Sequence, residues 1–193
     1  MDLFIFNESK DNKLEFNNII IITVCILLFS QVITMAICKI LNIDIEEDID
    51  KNTDKLIKKW HELGLNVYNI IIGEFLGSVL YSPIAEEFVY KFLLIKYLLV
   101  NKYGINPFIS CFIQSLIFSI THYSNLILTE QNPKFNKIQI INAFVSSFIS
   151  GIFYIQYNSL IPCILAHIVN NGLASVNDII KFVNYKNSKD KIK

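Results

Sequence analysis

The chain has 193 residues, 53% of them hydrophobic, and equal numbers of basic and acidic side chains, 17 of each. A mean hydropathy of +0.44 lies above that of ordinary soluble domains and points to a membrane. The balanced charge excludes the basic face that a nucleic-acid partner requires to neutralise phosphates.

Cys25, Cys38, Cys111 and Cys163 lie in or beside apolar runs and form no CxxC pair. Neither a zinc knuckle nor a disulfide framework is indicated, so they read as packing residues. Every basic residue is lysine, as an AT-rich coding sequence favours.

The first eighteen residues mix Asp, Glu and Lys, and the apolar run after them is too long for a signal-peptide core. From Ile19 to Cys38 there are twenty uncharged residues. Roughly 20 suffice for a helix to cross a hydrocarbon core of about 30 Å, so this is the first span, a retained anchor. Residues 42–66 turn charged, with Leu56, Ile57, Trp60 and Leu63 spaced as one helical face, and predict a short amphipathic interfacial helix.

Val67 to Pro83 is apolar but carries Glu74, and Ile84 to Val100 embeds Glu86, Glu87, Lys91 and Lys96 among Phe, Leu and Ile. Glu74 is expected to line the same cavity as the other acids or to pair with Lys96. Asn106 to Leu128 is a further span, with His122 as its one ionisable group. Ile138 to Asn177 carries no Asp, Glu or Lys over forty residues and is divided at Tyr157-Asn158-Ser159 and Pro162, which predicts a tight helical hairpin. The fold class is therefore all-α, a multi-pass bundle of about six membrane segments, because backbone in lipid must satisfy its hydrogen bonds within each helix. The lysines at 181, 186, 189, 191 and 193 place the C-terminal tail in the cytoplasm by the positive-inside rule.

Ionisable groups at membrane depth cost about 2.5–3.5 kcal/mol each on insertion scales, so they tend to face a bundle interior or a water cavity. Three groups occur here. In Ser82-Pro83-Ile84-Ala85-Glu86-Glu87-Phe88-Val89-Tyr90-Lys91, Pro83 can begin a helix, and the two glutamates project about 100° apart in a 3.6-residue helix. Glu87 and Lys91 stand in the favourable order for an i,i+4 ion pair, which leaves Glu86 for another partner. The plainer alternative is that both acids complement a helix dipole.

The second group is Phe118-Ser119-Ile120-Thr121-His122, where the plainer reading is a neutral histidine satisfied by a carbonyl. The third is His167 and Asn171, on one face of the last span, where the alternative is interhelical hydrogen bonding.

Taken in order, EExxxK at Glu86–Lys91, FxxxH at Phe118–His122 and HxxxN at His167–Asn171 resemble the three motifs of the CPBP family of intramembrane glutamic-type proteases. That family includes type II CAAX prenyl endopeptidases and bacteriocin-processing or self-immunity proteins. The similarity covers about residues 70–177 and extends to Ser82-Pro83-Ile84-Ala85 and Ser159-Leu160-Ile161-Pro162.

Two positions depart from the family: Lys91 stands where arginine is usual, keeping the charge but losing the fork, and Phe92 where many bacterial members have glycine. Many members also have about eight spans.

The resemblance implies a hydrolase in which Glu86 and His122 activate a water and His167 and Asn171 stabilise the oxyanion, with Glu87 and Lys91 in support. It implies a membrane-embedded peptide or prenylated protein as substrate, the lipid bilayer as surroundings, and no cofactor beyond water, a divalent metal being the less favoured version. The chain divides into an anchor helix and charged connector (1–66), a protease-like core (67–180) and a Lys-rich tail (181–193). A non-catalytic immunity or scaffold protein of the same fold is the alternative.

Overall fold

A computed structural model describes residues 14–123 and 133–190. Among them the chain forms helices α1 (Phe16–Ile40), α2 (Ile45–Glu62), α3 (Val67–Lys102), α4 (Pro107–Thr121), α5 (Pro133–Tyr157) and α6 (Ile161–Asp190). The architecture is the all-α bundle expected of the sequence. Helices α1, α3, α5 and α6 are each long and apolar enough to cross a membrane, and α4 is a shorter apolar helix.

Large apolar side chains point outward along the spans, among them Leu28, Phe29 and Val32 of α1 and Phe75, Leu76 and Phe88 of α3. Such a surface is untenable in water and suited to lipid, so the chain is an integral membrane protein.

The hairpin expected at 157–162 is present, with Asn158 in the left-handed region at φ 49°. The boundary expected at Pro83 is not a break, because α3 runs through it by widening. Its backbone follows i→i+5 turns over Glu74–Tyr81 and again over Phe88–Lys102, with one α-helical stretch, Ser82–Glu87, between them. A proline supplies no N–H to the preceding turn, and a widened turn is one way for a helix to continue past it.

Helix α4 ends at Thr121, and the rest of the span expected to Leu128 passes outside the described residues after Tyr123.

Helix α5 packs against α4 and α1, and α6 against α1, α2 and α3. The core joins Ile22 and Ile26 of α1 to Ile95 of α3, Cys111 of α4, Val145 and Ile149 of α5 and Cys163 of α6. Where α4 meets α5, a Cβ added to Gly151 would come 2.8 Å from Cys111 Sγ, so only glycine permits this approach. All four cysteines are free thiols and three are buried, as packing residues should be.

Helix α2 presents the expected face through Leu56, Ile57 and Trp60 and departs from it at Leu63. Thr53, Ile57 and Trp60 are buried whereas Leu63 is exposed, and the cluster rests on Phe182 of α6, with the Trp60 and Phe182 rings edge to face at 5.8 Å. Leu63 lies past the last helical residue, Glu62, where the left-handed Gly64 turns the chain away. Thr53 donates to Asp178 at 2.8 Å, and Lys181 pairs with Asp50 on the same flank.

Candidate active site

The α-helical stretch Ser82–Glu87 presents both glutamates toward α6, yet in different surroundings. The Glu87 side chain is 6% exposed and Lys91 1%, whereas Glu86 is 30% exposed and lines a cavity. Glu87 Oε2 lies 3.3 Å from Lys91 Nζ, an ion pair that lacks the alignment of a hydrogen bond. Lys91 donates to Ser147 Oγ at 3.1 Å, and Ser147 exchanges hydrogen bonds with Gln114 at 2.7 and 3.1 Å. A buried charge pair needs further partners for its donors and acceptors, and α5 and α4 supply them to Lys91 through Ser147 and Gln114.

His167 of α6 stands between the two carboxylates. Its Nδ1 is 3.1 Å from Glu87 Oε1, and its Nε2 is 3.8 Å from Glu86 Oε2. The nearer contact fixes the ring: Nδ1–H donates to Glu87, and Nε2 is directed to the cavity side. Glu86 also accepts a hydrogen bond from the Ser82 hydroxyl one turn earlier.

His122 sits at the C-terminal end of α4. Its Nδ1 lies 2.9 Å from the Phe118 carbonyl, which can only accept, so Nδ1 donates there. The Phe118 ring packs edge-on against both imidazoles, at 4.6 Å from His122 and 6.2 Å from His167, and so spaces them.

Asn171, one turn beyond His167, donates from Nδ2 to the Ser78 carbonyl at 3.0 Å. The i→i+5 pattern of α3, in which Ser82 N–H bonds Gly77 O, would next pair Ser78 O with residue 83, a proline without an N–H. Asn171 fills the acceptor that Pro83 leaves open and keeps a second N–H.

Glu86, His122, His167 and Asn171 therefore line one chamber of about 570 Å³, together with Ser78, Ser82, Tyr90 and Gln139. The four residues to which the family resemblance gives roles share this chamber, and Glu86 stands beside His167 within it. Glu74 lies elsewhere: it accepts from Ser175 at 3.0 Å, and Lys96, about five to six turns further along the same helix, donates to Asn158 at 2.9 Å.

Sequence reasoning missed Ser82, Ser147 and Gln114. Ser82 could have been found as the residue one turn before Glu86. Gln114 could have been found as the one amide side chain between Asn106 and His122.

The family model of type II CAAX prenyl endopeptidase Rce1-like proteins matches residues 68–173, from the start of α3 to beyond Asn171. No curated protein and no solved structure matches the chain. The match covers more than half of the 193 residues and contains all three motifs, so the chain belongs to the type II CAAX prenyl endopeptidase Rce1-like family, a family of membrane proteases.

Proposed function

We propose that this chain is an intramembrane endopeptidase that hydrolyses a peptide bond in a membrane-associated substrate, either a prenylated protein ending in a CAAX-type sequence or a small secreted peptide with an apolar segment. The observation that carries the reading is that Glu86, His122, His167 and Asn171, from three helices, face one chamber.

In this scheme Glu86 takes a proton from water, with His122 Nε2 orienting the same water. The hydroxide adds to the scissile carbonyl carbon, and the π electrons move to oxygen. Asn171, through its second Nδ2 hydrogen, and His167, through Nε2–H, donate to that oxyanion. For His167 to donate from both nitrogens the ring must be the imidazolium, and the carboxylates Glu86 and Glu87 together match the charges of His167 and Lys91. The C–N bond then breaks, Glu86 passes its proton to the departing amine, and a carboxyl and an amine product leave.

Lys91 positions Glu87 and touches no reacting atom. Among the described residues no three of His, Cys, Asp and Glu are grouped as ligands of a metal ion, and no step is routed through one. The lysines of α6 past residue 180 favour a cytoplasmic C-terminus. The core and tail divide near that point.

The test is cleavage by the full chain in liposomes, offered a farnesylated CAAX peptide and an unprenylated apolar peptide. Glu86→Ala and His122→Ala each reduce turnover by about a hundredfold or more with membrane insertion unchanged. Full activity in both variants refutes the assignment.

A further inference from the structure

A second cavity of about 870 Å³ adjoins the chamber and shares Phe118, His122, Gln139, His167 and Asn171 with it. It runs along α1 to the α1–α2 turn, where Lys39 and Asp44 line it. The α1 side of this cavity lies outside the residues that the family match covers.

Ser30 lines it, is 3% exposed, and its Oγ has no hydrogen-bond partner among the described residues. A serine or threonine in an apolar helix ordinarily bonds back to the preceding turn, as Thr23 of the same helix does to Ile19 O at 2.7 Å. Ser30 does not.

One turn on, Thr34 donates to Asn142 Oδ1 at 3.3 Å, and beside it Gln31 donates to Asn170 Oδ1 at 2.9 Å. These bonds use the carbonyl oxygens of both asparagines and leave their Nδ2 groups as further donors on the cavity wall. Ile26, Leu27 and Met35 of α1 and Ala143 of α5 line the same cavity among these polar groups.

We infer that α1 forms a substrate subsite in which Ser30, flanked by the Gln31–Asn170 and Thr34–Asn142 pairs, hydrogen-bonds the extended main chain of the peptide next to the scissile bond. An extended peptide at membrane depth brings one donor and one acceptor per residue, and each must be met. A wall that sets an unengaged hydroxyl and amide donors among apolar side chains meets both the main chain and the side chains of a peptide. The inference rests on the endopeptidase reading, and Ser30 is a positioning residue in it.

The test uses full-length Glu86→Gln in lipid nanodiscs and a fluorescein-labelled peptide ending in a farnesylated Cys-aliphatic-aliphatic-X sequence. Adding Ser30→Ala weakens binding by about threefold to tenfold, the worth of one neutral hydrogen bond, and Ser30→Thr restores it to within about twofold. In the wild-type background Ser30→Ala raises KM by the same factor and leaves kcat unchanged. Removing an unpartnered buried hydroxyl does not lower Tm, which separates this result from misfolding.

Equal affinity with and without Ser30→Ala, or no binding by Glu86→Gln, overturns the subsite. Binding through Ser30 without cleavage by the wild type refutes the protease reading and leaves the subsite standing. Cleavage with KM unmoved by Ser30→Ala does the reverse.

Discussion

The Asn171 side chain donates to the Ser78 carbonyl at 3.0 Å, at the position where Pro83 interrupts the hydrogen bonding of α3. The third motif is thereby tied to the proline that precedes the first, and Asn171 both holds α6 against α3 and offers its second N–H to the chamber. Asn171→Leu leaves a carbonyl at membrane depth unsatisfied and costs about 1–3 kcal/mol. Pro83→Ala supplies the missing N–H, so Pro83→Ala/Asn171→Leu loses less stability than the single changes sum to. Unfolding in detergent across the four chains of the cycle measures this coupling, and strict additivity contradicts it.

Lys91 is the buried cation that balances Glu87, and its removal strands a carboxylate among apolar helices. Lys91→Met is expected to destabilise the chain by about 3–5 kcal/mol, and Glu87→Gln/Lys91→Met by less. Lys91→Arg keeps the charge and adds a fork that can align with Glu87 Oε2, the atom with no hydrogen bond. Turnover of the arginine variant equals or exceeds that of the wild type in a liposome cleavage assay; a sharp loss shows that the pocket is shaped for lysine. Proteolysis in neither form favours a non-catalytic partner.

Gly151→Ala forces Cys111 Sγ away from 2.8 Å in a fully packed seam between α4 and α5. Overpacking of this kind costs about 1–3 kcal/mol, and a thermal shift in detergent reads it. Cys111→Ala in the same chain relieves the clash. A double variant no more stable than Gly151→Ala alone places the strain elsewhere.

The apolar runs of α1 and of the α5–α6 hairpin were legible because length and the absence of charge suffice to mark a span, and Asn158 marks a turn by its left-handed backbone. The course of α3 was not. A proline between two apolar runs reads equally as a boundary or as a widened turn, and only packing chooses between them.

The motif residues were legible as membrane-depth polar groups, and the Glu87–Lys91 pair by its i,i+4 spacing, whereas the place of His167 between the two carboxylates was not. Helical spacing separates Glu86 from Glu87 without indicating that one imidazole stands within 3.1 Å of one and 3.8 Å of the other. Leu63 was misplaced for a similar reason, because periodicity continues on paper past the residue where the helix ends.

The ring of His167 is oriented by Glu87, so Glu87→Gln weakens the orienting bond and leaves Glu86 in place. Turnover falls by about tenfold to a hundredfold, with little change in KM. Kinetics of that variant beside Glu86→Gln separate positioning from chemistry, and equal losses in both contradict the division of labour.

The central claim is that Glu86 activates water for peptide hydrolysis. Its most direct test is mass spectrometry of a farnesylated CAAX peptide incubated with the purified full chain in liposomes containing a metal chelator, beside Glu86→Gln. The account predicts one new carboxyl-terminal fragment from the wild type and none from Glu86→Gln, and an intact peptide with the wild type or the same fragment from Glu86→Gln contradicts it.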